Sequence, residues 1–129
     1  MGALPVQAFA EQADAEALAN NWDAAISLFL FACRAKNLSP QTVHSYADRL
    51  QQFAKFAKAC QETPATFNFW TVAAFVTFQQ QRGVKAPTTN GYLRTLSVFA
   101  NFLVREGVRK DNPLKGFPKV RKGTIRPER

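Results

Sequence analysis

Hydrophobic residues recur at helical spacing over four stretches of the chain, and this pattern predicts four helices. The first is expected over residues 22–36, the second from 39 to about 59, the third over about 68–82 and the fourth from about 87 to 106. In each stretch the apolar positions repeat every three or four residues, as on the buried face of an α-helix. No stretch shows the strict alternation typical of a strand. The pattern therefore predicts an all-α fold, a compact bundle of four core helices.

Turn and capping residues mark the ends of these helices. Ser39 is a favourable N-cap, and Pro40 suits the first helical position, where its missing N–H is not needed. Gly83 and Gly107 are typical helix stops. The segment 61–67, with a proline in its middle, is expected to be a loop.

The same signals divide the chain into three parts. Residues 1–21 form an acidic arm, expected as a short helix or a frayed segment. Residues 22–107 form the helical domain. Residues 108–129 form a basic segment punctuated by Pro and Gly, which is expected to be a linker.

Charge is segregated along the chain. Residues 1–33 contain four acids and no Lys or Arg, whereas residues 34–129 hold all 17 basic residues against five acids. A basic part of this kind most often faces a polyanion, with nucleic acid as the first candidate and an anionic membrane surface as the second. A solvated basic surface without a partner is the third interpretation.

Composition argues against several classes of protein. The hydrophobic share of 47% and the twelve Phe are typical of a globular domain. No apolar run approaches the roughly 20 residues of a membrane span, and the N-terminus lacks the basic region of a signal peptide. We therefore expect a cytoplasmic protein without membrane contact, with Cys33 and Cys60 both reduced.

The residues of a catalytic or metal site are also not in evidence. One His and two distant Cys have no metal-ligand spacing. No acid, nucleophile or second His stands near His44 at a spacing that predicts catalysis. We expect no metal, no cofactor and no catalytic residue in this chain.

The outward face of the second helix carries polar groups that suit phosphate. Ser45 lies opposite the core, with Thr42 and Arg49 on one flank and His44 on the other. Thr42 is in the first turn, where its hydroxyl and the free backbone N–H groups could hold a phosphate. The same residue could simply help Ser39 to cap the helix, and the two roles are compatible.

The outward face of the fourth helix includes Asn90, Gly91, Arg94 and Arg105. Arg94 could contact a guanine edge or a phosphate, and Asn90 suits adenine. Exposed Arg and Asn are also ordinary surface residues. Gly91 costs about 1 kcal/mol relative to Ala inside a helix. Either a close approach of DNA or packing against a neighbouring helix would explain it.

Aromatic residues are unusually dense in the third helix. Trp70, Phe75 and Phe78 exceed what one buried stripe needs, which indicates either a broad buried face or an exposed patch for a partner protomer. Tyr46 and Tyr92 fall on apolar stripes and are expected in the core, with their hydroxyls at its edge.

Two segments carry an ordered pattern of residues. The first is Ser39-Pro40-Gln41-Thr42, followed by Tyr46, Leu50 and Phe53. The second is residues 89–99 (TNGYLRTLSVF), leading into 102–107 (FLVREG) and 111–113 (DNP). Together they resemble the core-binding domain of tyrosine recombinases, the phage and Xer-type integrases. The resemblance extends over about residues 22–121.

The resemblance implies a SAM-like bundle that forms one half of a clamp around duplex DNA, with the second and fourth helices facing the duplex. Together with the periodicity it gives the following expected DNA-binding residues: Thr42, His44, Ser45, Arg49, Lys85, Thr88, Asn90, Gly91, Arg94, Thr95, Arg105 and Lys122. In the family, a separate domain carries the catalytic Arg, Lys, His-x-x-Arg and Tyr. Ser45, Tyr46 and Ala47 follow His44, so that motif does not occur there.

We therefore expect the non-catalytic DNA-binding module of a site-specific tyrosine recombinase, which grips double-stranded DNA at an arm of the recombination site. Other recombinase protomers on DNA are its expected protein partners, and the isolated chain is expected to be a monomer. The linker 108–129 would lead to the catalytic domain. Two alternatives stay open: a stand-alone helical DNA-binding regulator, and a helical bundle that binds proteins.

Overall fold

A computed structural model describes residues 15–121, and every regular element in that range is a helix. In chain order the helices are α1 (Ala15–Ala19), α2 (Trp22–Ala35), α3 (Pro40–Ala59), α4 (Phe69–Gln81) and α5 (Ala86–Arg105). Helices α2 to α5 are the four predicted ones, so the all-α prediction is confirmed. Within the described range, none of the helices combines the length and the apolar character needed to cross a bilayer.

Ser39 and Pro40 start α3 as the sequence predicts, and the other helices begin in different ways. At the start of α3, Ser39 Oγ accepts a hydrogen bond of 3.1 Å from the Thr42 N–H, and Pro40 is the first helical residue. Asn68 and Thr71 form a reciprocal capping box at α4. At α5 the N-cap residue is Lys85, whose side chain makes no capping bond.

An aromatic core joins the helices around Trp22. Its ring centroid lies 5.8 Å from that of Phe53 in α3, 5.6 Å from Phe67 in the loop before α4 and 6.2 Å from Phe99 in α5. The Trp22 indole N–H donates to the Glu62 carbonyl at 3.0 Å. One ring thus connects four segments of the chain, which sets the positions of α3 and α5 relative to each other.

The aromatic residues of α4 separate into two groups. Phe75 is buried, with 2% of its surface exposed, whereas Trp70 is 74% exposed and Phe78 is 40% exposed. Phe75 therefore belongs to the buried face, whereas Trp70 and Phe78 lie at the surface. Tyr46 and Tyr92 are half-buried and pack against the core.

Packing extends beyond both ends of the predicted helical domain. Leu18, in the segment expected to be an accessory arm, is 1% exposed. On the other side Leu114 is buried, and Phe117 and Val120 pack against the core. Apolar anchors in 114–120 thus fix much of the segment expected to be a linker. The rest of the arm and of the linker lies outside the described residues.

Cys33 is buried in α2, and Cys60 is exposed at the end of α3; neither forms a disulfide. Burial raises the pKa of the Cys33 thiol, while the charges of Lys36 and Arg34 act in the opposite direction. The buried thiol is therefore expected to be the less reactive of the two.

Candidate nucleic-acid interface

Helices α3 and α5 pack against each other, and Arg49 lies at their junction. Its Nη1 donates a hydrogen bond of 3.2 Å to Thr95 Oγ1. The guanidinium lies against Gly91, where a methyl group on the glycine would be 3.1 Å from Arg49 Nη2. Of the two explanations for Gly91, this contact favours packing against a neighbouring helix, because the glycine leaves room for the Arg49 side chain of α3.

The predicted outward face of α5 is wrong at Asn90 and Gly91, and Thr95, which the resemblance added to the expected DNA-binding residues, is buried as well. Asn90 is 8% exposed, Thr95 is 1% exposed and Gly91 is buried. Asn90 Nδ2 donates to the Val120 carbonyl at 2.9 Å, and Asn90 Oδ1 accepts from the Val120 N–H at 2.8 Å. Both polar atoms of the Asn90 amide are occupied by the backbone of one residue, Val120, so the side chain is not free to contact adenine. A helical wheel cannot predict this burial, because it represents one helix without the segments that pack against it.

A smaller set of polar residues remains accessible on neighbouring sides of α3 and α5. Arg94 and Thr88 are exposed on α5, and Thr42, Ser45 and Arg49 are half-buried at successive turns along one side of α3. These five residues are called the α3–α5 face. Helix α5 contains no acid, and Asp48 is the single acid of α3. The face thus combines hydroxyl groups and guanidinium groups, the side chains that most often contact DNA phosphates.

Other predicted site residues do not join this face. His44 is about 140° from Arg49 around α3, on the flank away from α5. It lines a shallow cavity with Arg34. Arg105 is exposed at the end of α5, about 16 Å along the helix axis from Arg94. Lys122 lies outside the described residues.

The cations of the face are not neutralised by carboxylates. Across residues 15–121 the one ion pair joins Arg109 to Asp111, at 3.8 Å. Neither Arg49 nor Arg94 therefore has an acidic partner in that range. An exposed guanidinium without an acid nearby remains available to an external anion.

Two basic residues lie beside Arg94 that were not among the DNA-binding residues predicted from the sequence. Lys119 and Arg121 line, with Arg94, a groove between α5 and the segment that follows it. Lys85, which was predicted, lines an adjoining groove with Arg121. The available signal was the spacing of three between Leu114, Phe117 and Val120, which leaves Lys119 and Arg121 on either side of the last apolar anchor.

A comparison with protein families identifies the helical domain. The phage integrase, N-terminal SAM-like domain matches residues 26–107, from within α2 to the glycine that follows α5. The chain belongs to this family. The resemblance to a recombinase core-binding domain is therefore confirmed, and the helical bundle is the fold that the family implies.

Membership of this family suggests a DNA-binding role related to tyrosine recombinases, with contacts to DNA and to other recombinases in general. The matched domain is the non-catalytic N-terminal one, and no catalytic domain is detected in the chain. No curated protein and no solved structure matches the chain.

Proposed function

We propose that this SAM-like domain binds duplex DNA through the α3–α5 face, as the DNA-binding module of a site-specific tyrosine recombinase. It would grip one arm of a recombination site without performing chemistry itself. The observation that carries the proposal is Arg49, which Gly91 and Thr95 hold at the junction of α3 and α5 without an acidic partner in the described range.

The surroundings of Arg49 suit a phosphate of the DNA backbone. A guanidinium has five N–H donors, and Arg49 makes a single hydrogen bond, to Thr95. Because the neighbouring helix already fixes the side chain, less rotational freedom is lost when an anion binds. Ser45 and Thr42 place hydroxyl groups on the same side of α3, one and two turns from Arg49.

The arrangement favours contact with the backbone over reading of bases. Asn90, the residue best suited to adenine, is hydrogen-bonded at both polar atoms of its amide to the Val120 backbone. Arg94 remains exposed and could reach either a phosphate or a guanine edge. We therefore expect an affinity that is mainly electrostatic and falls steeply with salt. Other recombinase protomers are the proposed protein partners, and the exposed Trp70 supports a protein contact.

The test is a titration of labelled duplex DNA of arbitrary sequence at several salt concentrations, with Arg94→Ala as the main variant. Arg94 makes no hydrogen bond or ion pair within the described residues that the fold would lose. We expect binding to weaken roughly tenfold and the salt slope to fall by about 0.9. Anisotropy of the labelled duplex measures both.

Two substitutions serve as controls. Lys58→Ala removes the same charge from the exposed surface of α3, on the opposite side of the helix from Arg49. Asp23→Ala alters an exposed acid in the first turn of α2. Each should change affinity less than Arg94→Ala does. Equal losses for Arg94→Ala and Lys58→Ala would show that binding is not directed to the proposed face.

A further inference from the structure

The segment after α5 is fastened to that helix and to the start of α4 at several points. Residues 112–121 are called the docked tail. Leu114 is 6% exposed, and the Phe117 ring lies 4.9 Å from that of Phe69 at the start of α4. Asn112 fixes the beginning of the tail, because its Nδ2 donates to the Ser97 carbonyl at 3.1 Å and to Asn101 Oδ1 at 2.9 Å.

Asn90 fixes the other end of the docked tail. Its amide pairs with both polar groups of Val120, at 2.9 Å and 2.8 Å, and the side chain is largely buried. Two bonds to one residue fix the direction of the chain as well as its position. The basic residues on either side, Lys119 and Arg121, are thereby held near α5. A neutral amide does this without placing a negative charge beside them, which an Asp at the same position would do.

Lys119 and Arg121 share an open groove with Arg94 of α5, and Arg121 shares an adjoining one with Lys85. All four cations are exposed, and within residues 15–121 none forms an ion pair with an acid. Like charges brought together repel one another, an arrangement that a bound polyanion would relieve. Arg94 also belongs to the α3–α5 face, so the groove is continuous with that surface.

We infer that α5 and the docked tail form a second phosphate-binding groove, in which Arg94, Lys119 and Arg121 take a backbone phosphate of the same DNA. Asn90 acts as the positioning residue that holds the tail beside α5. The inference rests on the proposed function, since it names a further part of the DNA contact.

The first experiment measures the salt dependence of duplex binding by the full chain with Lys119→Ala and with Arg121→Ala. Lys115→Ala is the matched control, because Lys115 is an exposed lysine of the same tail that does not line the groove. We expect each groove variant to lower the salt slope by about 0.9 and to weaken binding roughly tenfold. Lys115→Ala should change affinity less than twofold, because salt screens the interaction between DNA and an exposed charge that does not contact it.

The second experiment tests Asn90. In the wild-type chain the Val120 amide should exchange slowly with solvent, since it donates to a largely buried oxygen, and Asn90→Ala should make this exchange fast. In the Asn90→Ala background, Lys119→Ala should cost less than twofold in affinity, because the tail no longer presents the lysine. Val120→Pro removes the same amide donor without altering α5, so it provides a second variant should Asn90→Ala unfold.

The outcomes are distinct for the two proposals. If the wild-type chain does not bind duplex DNA, the proposed function fails. If binding depends on Arg94 while Lys119→Ala and Arg121→Ala match Lys115→Ala, the groove is wrong and the proposed function stands. If Lys119→Ala costs as much in the Asn90→Ala background as in the wild-type chain, Asn90 does not position the tail.

Discussion

Arg49 and Arg109 both pack against the helical bundle, yet their surroundings differ. The side chain of Arg109 is 8% exposed and lies over the Phe67 ring at 4.6 Å. Its Nε donates to the Asp111 carbonyl at 2.9 Å and its Nη1 to the Pro64 carbonyl at 3.0 Å. Arg49 is half-buried and makes one hydrogen bond, to Thr95.

The difference separates a structural cation from one that remains available to a ligand. Arg109 joins the loop before α4 to the turn after α5, and its donors are largely used within the protein. Burial lowers the pKa of Arg109 below its usual value, and the Asp111 carboxylate opposes that shift. Arg49 keeps most of its donors free. The net charge of +8 therefore overstates the cationic surface that could meet DNA.

The largest expected effect comes from Arg109→Ala. The substitution leaves two carbonyl oxygens without their donor and removes the cation from the Phe67 ring. We expect the free energy of unfolding to fall by about 2–3 kcal/mol. Chemical denaturation measures this loss. DNA affinity, measured on protein that is still folded, should change less than twofold. A stable variant with a large loss of affinity would place Arg109 among the DNA contacts.

The sequence predicts the helices well because the apolar spacing and the caps are local signals. Ser39 and Pro40 start α3 as expected, and Gly83 and Gly107 follow α4 and α5. The placement of Arg49 on the same flank of α3 as Thr42 also followed from helical spacing. These features depend on residues a few positions apart, which a periodic pattern records.

The contacts on the two flanks of α5 could not be predicted in the same way. Asn90 and Val120 are thirty residues apart, and the docked tail is not helical. A helical wheel assigns Asn90 and Gly91 to the surface because both lie on the side of α5 away from its apolar stripe. One is buried by the tail and the other by Arg49. Only the packing of distant segments decides such positions.

A smaller effect is expected from Arg49→Ala, and it should appear mainly in binding. Loss of the bond to Thr95 costs about 1 kcal/mol of stability. Loss of the fixed guanidinium should weaken duplex binding roughly tenfold. Arg49→Lys keeps the charge but not the planar guanidinium, so the affinity of this variant should lie between those of the wild-type chain and of Arg49→Ala. The profile is thus the reverse of that for Arg109→Ala. If Arg49→Ala binds like Lys58→Ala, Arg49 is structural too.

The smallest effect is expected from Gly91→Ala. Alanine should stabilise α5 by about 1 kcal/mol. Its Cβ would stand 3.1 Å from Arg49 Nη2, however, so the guanidinium must shift and the bond to Thr95 weakens by a similar amount. We expect almost no net change in stability, and an affinity about threefold weaker, or roughly 0.6 kcal/mol.

In the Arg49→Ala background no guanidinium is present, so Gly91→Ala should stabilise the protein by about 1 kcal/mol and leave affinity unchanged. Thermal and denaturant unfolding of the four proteins in this cycle measure the coupling. An equal change in both backgrounds would mean that Gly91 does not accommodate Arg49, and the contrast between Arg49 and Arg109 would then lose its structural basis.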